Sequence, residues 1–176
     1  APSYLLEGRY LGVDFIGLGE HHRPDFAISS PEMVLATIAG RTTRLRLGSA
    51  VTVLGSDDPV RVFQRFSTLN ATSGGRAEVI LGRGSFTESF PLFGFDTAQY
   101  ETLFEERLDL YARILEQDRT GAPLTWRGTT RAPLAGQTRQ RPRRQPLHPR
   151  RPDRRSHALT QGFVVETRVE GQRRRH

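Results

Sequence analysis

Three short apolar runs recur at a near-constant interval and constrain the fold of this 176-residue chain more than any other feature. They are Val13–Leu18, Leu45–Leu54 and Ala77–Gly82, and their starts lie about 32 residues apart. Runs of this length and composition are typical of strands that are covered on both faces. Because helical patterns lie between them, we predict parallel strands joined by right-handed crossovers.

Helix-start signals mark the segments between these strands. Ser30-Pro31 and Asp58-Pro59 each combine a capping side chain with a proline whose φ suits the first helical turn. Apolar residues then recur at three- and four-residue spacing, which favours amphipathic helices. The predicted helices cover, in chain order, residues 3–11, 31–41, 59–72 and 97–118.

Two α/β architectures fit this order, a doubly wound sheet and part of an eightfold barrel. Eight units of about 32 residues would make about 256 residues, the usual size of a closed (βα)8 barrel. Since about three and a half units are present, we predict a partial (βα)8 TIM-type barrel with about three parallel strands and four helices. Such a piece leaves sheet edges unpaired, so we expect a marginally stable chain that aggregates unless it pairs with another copy, as in a homodimer.

Charge separates a body from a tail. All 26 basic residues are Arg; the formal charge is −4 over residues 1–126 and +11 over residues 127–176. Together with the loss of helical and strand periodicity, this divides the chain into two parts. Residues 1–137 form an incomplete barrel domain, and residues 138–176 form a basic, Arg- and Pro-rich tail that we predict to be disordered.

The tail has three competing explanations. Its Arg, Pro, Gln and His bias is typical of a GC-rich gene read in a shifted frame. It also fits an arm that binds nucleic acid, or a segment that is merely solvated. Nucleic-acid binding is the less favoured explanation, because Phe163 is the only aromatic residue after Trp126 and base stacking needs such residues.

Several classes of protein are excluded by what the sequence lacks. There are no cysteines, which rules out disulfides, thiolate metal ligands and a cysteine nucleophile. No apolar run approaches the roughly 20 residues of a membrane span, and no signal-peptide pattern is present. We therefore predict a cytoplasmic protein with no membrane partner.

Polar segments follow all three predicted strands, where parallel α/β folds bind ligands. They are Gly19–Arg23, Gly55–Asp58 and Gly82–Ser85. The first contains an acid and two imidazoles, which suit general acid/base chemistry, although a plain polar loop is the simpler interpretation. A metal site is less favoured, because adjacent side chains on an extended chain point apart.

The third polar segment, Gly82–Ser85, combines backbone N–H groups, a permanent cation and a hydroxyl, which suits a phosphate. It is neither the dinucleotide fingerprint, since a third glycine is missing, nor a Walker loop, since it has no lysine. By itself it is as well explained by a tight turn.

Longer motifs in the same order add a family resemblance. Gly12–His22, Arg44–Val51, Asp58–Arg61 and Ser73–Gly84 resemble segments of the bacterial-luciferase-like flavin-dependent monooxygenases. The resemblance runs from about residue 4 to residue 137. It implies a barrel that binds reduced flavin mononucleotide (FMN), or in some relatives a deazaflavin, and that uses oxygen to oxidise a small organic substrate. A separate reductase that supplies the reduced flavin is a further implied partner.

The resemblance also implies roles for particular residues. His21 corresponds to an imidazole near the flavin ring that assists proton transfer. Ala50 and Val51 lie where many relatives carry a non-proline cis peptide against the ring. Arg83, Gly84 and Ser85 correspond to the segment near the flavin phosphate.

Two departures from the family set limits on activity. The family's first strand should precede residues 4–12, and its later strands should follow residue 137. We therefore expect that this chain does not turn over alone. The alternative functions are a non-catalytic fragment or frameshifted gene product with at most a role in dimerisation, and nonspecific nucleic-acid binding through the tail.

Overall fold

The computed structural model describes residues 12–138 and the backbone of a short strand at Val164–Val165. The strands are β1 Phe15–Leu18, β2 Arg46–Ser49, β3 Thr52–Val53, β4 Ala77–Glu78, β5 Ile80–Gly82, β6 Leu124–Trp126, β7 Leu134–Gln137 and β8 Val164–Val165. The helices are α1 Pro31–Ala39, α2 Pro59–Thr72, α3 Ser89–Leu92 and α4 Tyr100–Thr120, with 3-10 turns at Leu54–Ser56 and Thr97–Gln99. The predicted helix over residues 3–11 and, apart from β8, the predicted disordered tail lie outside the described residues.

The predicted parallel strands are confirmed, with two of them divided. Strand β2 lies between β1 and β4, and β5 lies between β3 and β8, with every pair parallel. The predicted run Leu45–Leu54 is interrupted between β2 and β3, and the run Ala77–Gly82 between β4 and β5. The arrangement is the predicted partial barrel, in which helices α1, α2 and α4 alternate with parallel strands.

The side chain of Ser49 bridges the interruption between the divided strands. Its Oγ donates a hydrogen bond to the carbonyl of Ile80 (3.2 Å) and accepts from the Ile80 N–H (3.3 Å). The hydroxyl of Thr52 donates to the same Oγ at 2.9 Å. A buried hydroxyl therefore replaces ladder bonds where the backbone leaves regular strand geometry.

The helix starts behave differently from each other although their sequences are alike. Asp58 caps α2 as predicted, because its Oδ1 accepts from Val60 N–H (2.8 Å) and Arg61 N–H (3.1 Å). Ser30 stands at the predicted cap position of α1, but its side chain makes no capping hydrogen bond. Proline at the first helical position is what the two helices share.

The core lies between the helices and the sheet. Buried apolar side chains recur along one stripe of α2 and one of α4, and they meet the strand residues that face them. The core members from these helices and strands are Val62, Phe63, Phe66, Leu69, Phe104, Leu110, Tyr111, Ile114, Leu47 and Leu81. Each such burial stabilises the fold by roughly 1.5–3 kcal/mol before the entropy of ordering is subtracted.

An antiparallel hairpin of β6 and β7 follows α4 and was not predicted. Its strands are short, and only the first has an alternating pattern of burial. Side-chain bonds attach it to α4: Trp126 Nε1 donates to Asp109 (2.8 Å), and Gln117 Nε2 donates to the Gln137 carbonyl (2.7 Å). The hairpin therefore depends on tertiary contacts that no local pattern signals.

Arg76 holds the amino end of the sheet together. Its guanidinium donates to the carbonyls of Ser73 (2.7 Å), Leu45 (2.8 Å), Ala39 (3.0 Å) and Thr42 (3.0 Å), and to the Thr42 hydroxyl (3.0 Å). These acceptors lie at the ends of α1 and α2 and before β2. One side chain thus satisfies carbonyls that the helix ends leave without partners, while burial lowers the pKa of Arg76.

Candidate active site

The carboxyl ends of β1, β3 and β5 bring two of the three polar loops to one pocket of about 160 Å³. Five of the six residues predicted for the site line it: His21, Ala50, Val51, Gly84 and Ser85. The remaining polar loop, Gly55–Asp58, lines a neighbouring pocket of about 360 Å³ through Ser56 and Asp57. Both pockets are lined by Glu20 and His22, which follow β1 and separate one pocket from the other.

The peptide bond between Ala50 and Val51 is cis, the conformation that the resemblance implies here. Glycines on both neighbouring strands make room for the two side chains. A Cβ at Gly17 would lie 2.9 Å from Ala50 Cβ, and a Cβ at Gly82 would lie 2.5 Å from Val51 Cγ2. Because such distances are far below van der Waals contact, both positions require glycine as long as this backbone is kept.

His21 faces the pocket and is held between aromatic rings. Its ring centroid lies 4.1 Å from that of Phe26 and 5.4 Å from that of Phe86. Its Nδ1 lies 3.6 Å from Glu88 Oε1, too long for a hydrogen bond, although such contacts often tighten on ligand binding. Glu88 is the carboxylate that sequence reasoning missed, since it lies in a loop without a motif.

His22 and Glu20 form a closed pair beside His21. His22 Nε2 lies 2.9 Å from Glu20 Oε1, and Glu20 Oε2 accepts from the Val53 N–H at 3.2 Å. Burial raises the pKa of Glu20, and its bonds to His22 and Val53 oppose that rise without cancelling it. The two adjacent imidazoles thus differ in role: His22 is engaged by a buried carboxylate, whereas His21 remains available to the pocket.

Arg83 does not join the other predicted residues at the pocket. It forms an ion pair with Glu101 of α4, and its Cζ lies 4.9 Å from the centroid of Phe104. The reason is strand alternation, because Gly82 and Gly84 face Val51 and Val53 while the residue between them points to the opposite face. A phosphate contact of the Arg83 guanidinium therefore stays a prediction.

Gly84 has the conformation that its loop requires. Its φ is +83°, in the region that favours glycine, and an added Cβ would lie 2.9 Å from Val53 Cγ1. The Tyr100 hydroxyl donates to the Gly84 carbonyl at 2.6 Å, which fixes the loop to the start of α4. Gly84 lines the pocket and has no side chain of its own there.

A partial TIM-type barrel with a polar site at the carboxyl ends of its strands is the class that fold and site define. Comparison with known families then identifies the lineage. The family model described as luciferase-like monooxygenase matches residues 10–152. The chain belongs to the luciferase-like monooxygenase family, which confirms the predicted resemblance, and the match extends past the predicted boundary at residue 137.

Individual relatives agree with this assignment. The 4-hydroxyprotoasukamycin monooxygenase of Streptomyces nodosus subsp. asukaensis is 37% identical over 108 residues, which cover 61% of this chain and 29% of that enzyme. The curated relatives that this chain matches are much longer, and the chain spans between 26% and 39% of their length.

Solved structures show the same fold at lower identity. The oxygenating constituent of 3,6-diketocamphane monooxygenase from Pseudomonas putida, in complex with FMN, aligns with a TM-score of 0.65 at 18% identity, covering 76% of this chain and 37% of that one. An F420-dependent secondary alcohol dehydrogenase aligns with a TM-score of 0.63 at 20% identity, over 77% and 42% of the two chains. Within residues 12–138, no helix has the length and apolar character needed to cross a membrane.

Proposed function

We propose that this chain carries one wall of the flavin site of a luciferase-like monooxygenase, with FMN as the cofactor and a small organic molecule as the substrate. The observation that carries the proposal is the meeting of His21, the cis Ala50–Val51 bond and the Gly84–Ser85 backbone at one pocket. These residues come from three separate strands. Nothing in their packing against the core requires that an imidazole and a glycine loop lie together.

The residues fit a flat, partly apolar group on one side. Phe26 and Phe86 flank His21, and the glycines at 17 and 82 keep the cis bond close to the neighbouring strands. The pocket of about 160 Å³ is, however, smaller than the roughly 300–1,000 Å³ of most small-molecule sites. The described residues therefore enclose only part of a flavin, and we expect weak binding and no turnover by this chain alone.

Each residue has a role that its geometry supports. His21 would hold or move a proton at the ring, with Glu88 as the carboxylate that orients its imidazole. Backbone groups of Gly84 and Ser85 would approach the phosphate, because no side chain at Gly84 blocks them. When bound, reduced flavin would supply two electrons to O2, so that one oxygen atom is transferred to the substrate and the other leaves as water.

A deazaflavin is the alternative cofactor, since a structure of similar fold is described as F420-dependent. In that case the reaction would be hydride transfer rather than oxygenation. With FMN as cofactor, we also propose two partners. One is a separate reductase that supplies the reduced flavin, and the other is a second copy of this chain. A titration with FMN, riboflavin and F420 decides among the cofactors.

The test uses gel-filtered full-length protein and the quenching of flavin fluorescence. We expect FMN to bind more tightly than riboflavin, and His21→Asn to weaken FMN binding about tenfold by removing its contact to the ring. Glu105→Gln, an exposed carboxylate on α4, is the matched control and should leave the affinity unchanged. Absence of binding by FMN and by F420 would contradict the proposal.

A further inference from the structure

Glu20 is a carboxylate buried at the centre of the candidate site, with 8% of its surface exposed. Among the described residues, its bonding partners are the His22 ring at 2.9 Å and the Val53 N–H at 3.2 Å. Neither partner is Arg, although this part of the chain is rich in that residue. Burial of a carboxylate without an arginine partner costs free energy, which its two hydrogen bonds offset only in part.

The bond to Val53 continues the sheet beyond the end of a strand. Strand β1 ends at Leu18, whose carbonyl accepts the last ladder bond from the Ala50 N–H at 2.7 Å. The cis bond follows directly, and the next strand segment begins at Thr52. Glu20 Oε2 then accepts from the Val53 N–H, so a side chain takes the place of the missing strand carbonyl.

The bond to His22 places the same carboxylate in the wall between two pockets. His21 and Glu88 lie on one side of this wall. Asp57, Glu32 of α1 and Arg65 of α2 lie on the other side. Arg65 forms ion pairs with both Glu32 (2.8 Å) and Asp57, so its single positive charge is already shared between two acids. Among the described residues, His22 is the group left to pair with Glu20.

We propose that Glu20 is a positioning residue: by bonding His22 Nε2 and Val53 N–H together, its carboxylate holds the His21–His22 loop at a fixed distance from the strand that carries the cis Ala50–Val51 bond. The proposal rests on the proposed function, because the His21–His22 loop and the cis bond both belong to the proposed flavin site. Glu20 would then affect ligand binding by fixing the position of His21, without contacting the ligand itself.

The Glu20→Gln variant distinguishes a positioning role from mere filling of space, because glutamine has nearly the same size but different hydrogen-bonding groups. An amide has one acceptor oxygen and one donor nitrogen. An ionised Glu20 can only accept, so in wild type the His22 Nε2 donates to it. If the amide oxygen of the variant accepts from Val53, its nitrogen must donate to His22 Nε2, which then cannot carry a proton. The variant should therefore keep the Val53 bond while moving the His22 ring proton from Nε2 to Nδ1.

The experiment compares full-length wild type, Glu20→Gln, Glu20→Ala and the control Glu105→Gln by NMR. We expect amide exchange at Val53 to be about tenfold faster in Glu20→Ala and nearly unchanged in Glu20→Gln, since one hydrogen bond to a charged group is lost only in the first. The ring 15N shifts of His22 should exchange their pattern in Glu20→Gln. His21 signals should shift in Glu20→Ala, and the control should match wild type throughout.

Two results would overturn the positioning role: a folded Glu20→Ala with wild-type exchange at Val53, or a Glu20→Gln whose His22 proton stays on Nε2. Should Glu20→Ala not fold, the Glu20→Gln result decides. FMN titration of the same proteins is read separately. No flavin binding by wild type would reject the proposed function, whereas the Val53 and His22 readouts would still decide whether Glu20 connects loop and strand.

Discussion

The two ends of the parallel sheet differ in how completely their polar groups are hydrogen-bonded. At the amino end, Arg76 places its donors on four carbonyls and a hydroxyl within 3.0 Å. At the carboxyl end, His21 and Glu88 line the pocket and stand 3.6 Å apart, too far for a hydrogen bond between them. The amino end is satisfied by the protein itself, whereas the carboxyl end keeps polar groups that a ligand can use.

The exposed aromatic side chains of the described residues follow the same division. Phe26, Phe86 and Phe93 lie around the two histidines, each with nearly half of its surface exposed. Clustered aromatic exposure of this kind is unusual on a surface that binds nothing. Substitutions at the amino end should therefore change stability alone, and substitutions at the carboxyl end should change binding at smaller cost in stability.

The largest effect is expected for Arg76→Ala. It leaves four carbonyls, three of them in half-buried residues, without their donor, and we expect a loss of about 3 kcal/mol in the free energy of unfolding, because an unsatisfied acceptor costs about 1–3 kcal/mol when fully buried and less when water reaches it. Urea denaturation measures it. Arg113→Ala removes an exposed ion pair to Asp109 and should cost less than about 0.5 kcal/mol. Equal losses in both variants would show that the half-buried Arg76 matters no more than an exposed arginine.

Gly82→Ala should have the next largest effect. The added methyl group would lie 2.5 Å from Val51 Cγ2, so strands β3 and β5 must separate at a cost of about 1–3 kcal/mol. Gly19→Ala is the control, since its nearest contact is the Ala50 carbonyl at an ordinary 3.6 Å. Thermal unfolding of both variants would show whether close approach, rather than loss of glycine flexibility, is responsible.

His21→Asn should leave the free energy of unfolding within about 0.5 kcal/mol of wild type, as expected for a side chain without a buried partner. The change should appear in FMN affinity instead, measured as described above. A large loss of stability with unchanged affinity would reverse the comparison and make His21 a packing residue.

The smallest effect is expected from the titration of Glu20. Burial raises its pKa in the folded state, so its contribution to stability is present at low pH and is lost as pH rises through that pKa. Glu20→Gln, which cannot ionise, should become more stable relative to wild type as pH increases from about 4 to 7. Urea midpoints across this range test the sign, and a constant difference would show that Glu20 does not titrate there.

Much of the architecture was predictable because it depends on local patterns. Apolar runs about 32 residues apart predicted parallel strands, and Asp58-Pro59 predicted the start of α2 at the observed residue. The hairpin of β6 and β7 was missed, because its strands have three and four residues and are held by contacts to α4.

The candidate site was only partly predictable for a different reason. Five predicted residues line the pocket, but the side chain of Arg83 turns to Glu101 on the helical side. A glycine on each side of Arg83 gives no sign of which face is buried. That choice depends on the neighbouring strand, where Val51 occupies the space in front of Gly82.

Local sequence periodicity and the right-handed crossover rule were enough to establish the parallel strands, the helices between them and the edge at which the polar loops gather. The partners of the two histidines were not contained in that pattern. Glu20 meets Val53 across 33 positions of chain, and Glu88 reaches His21 from another strand's loop. Such contacts form only when distant segments pack together, because packing determines which side of each loop is enclosed.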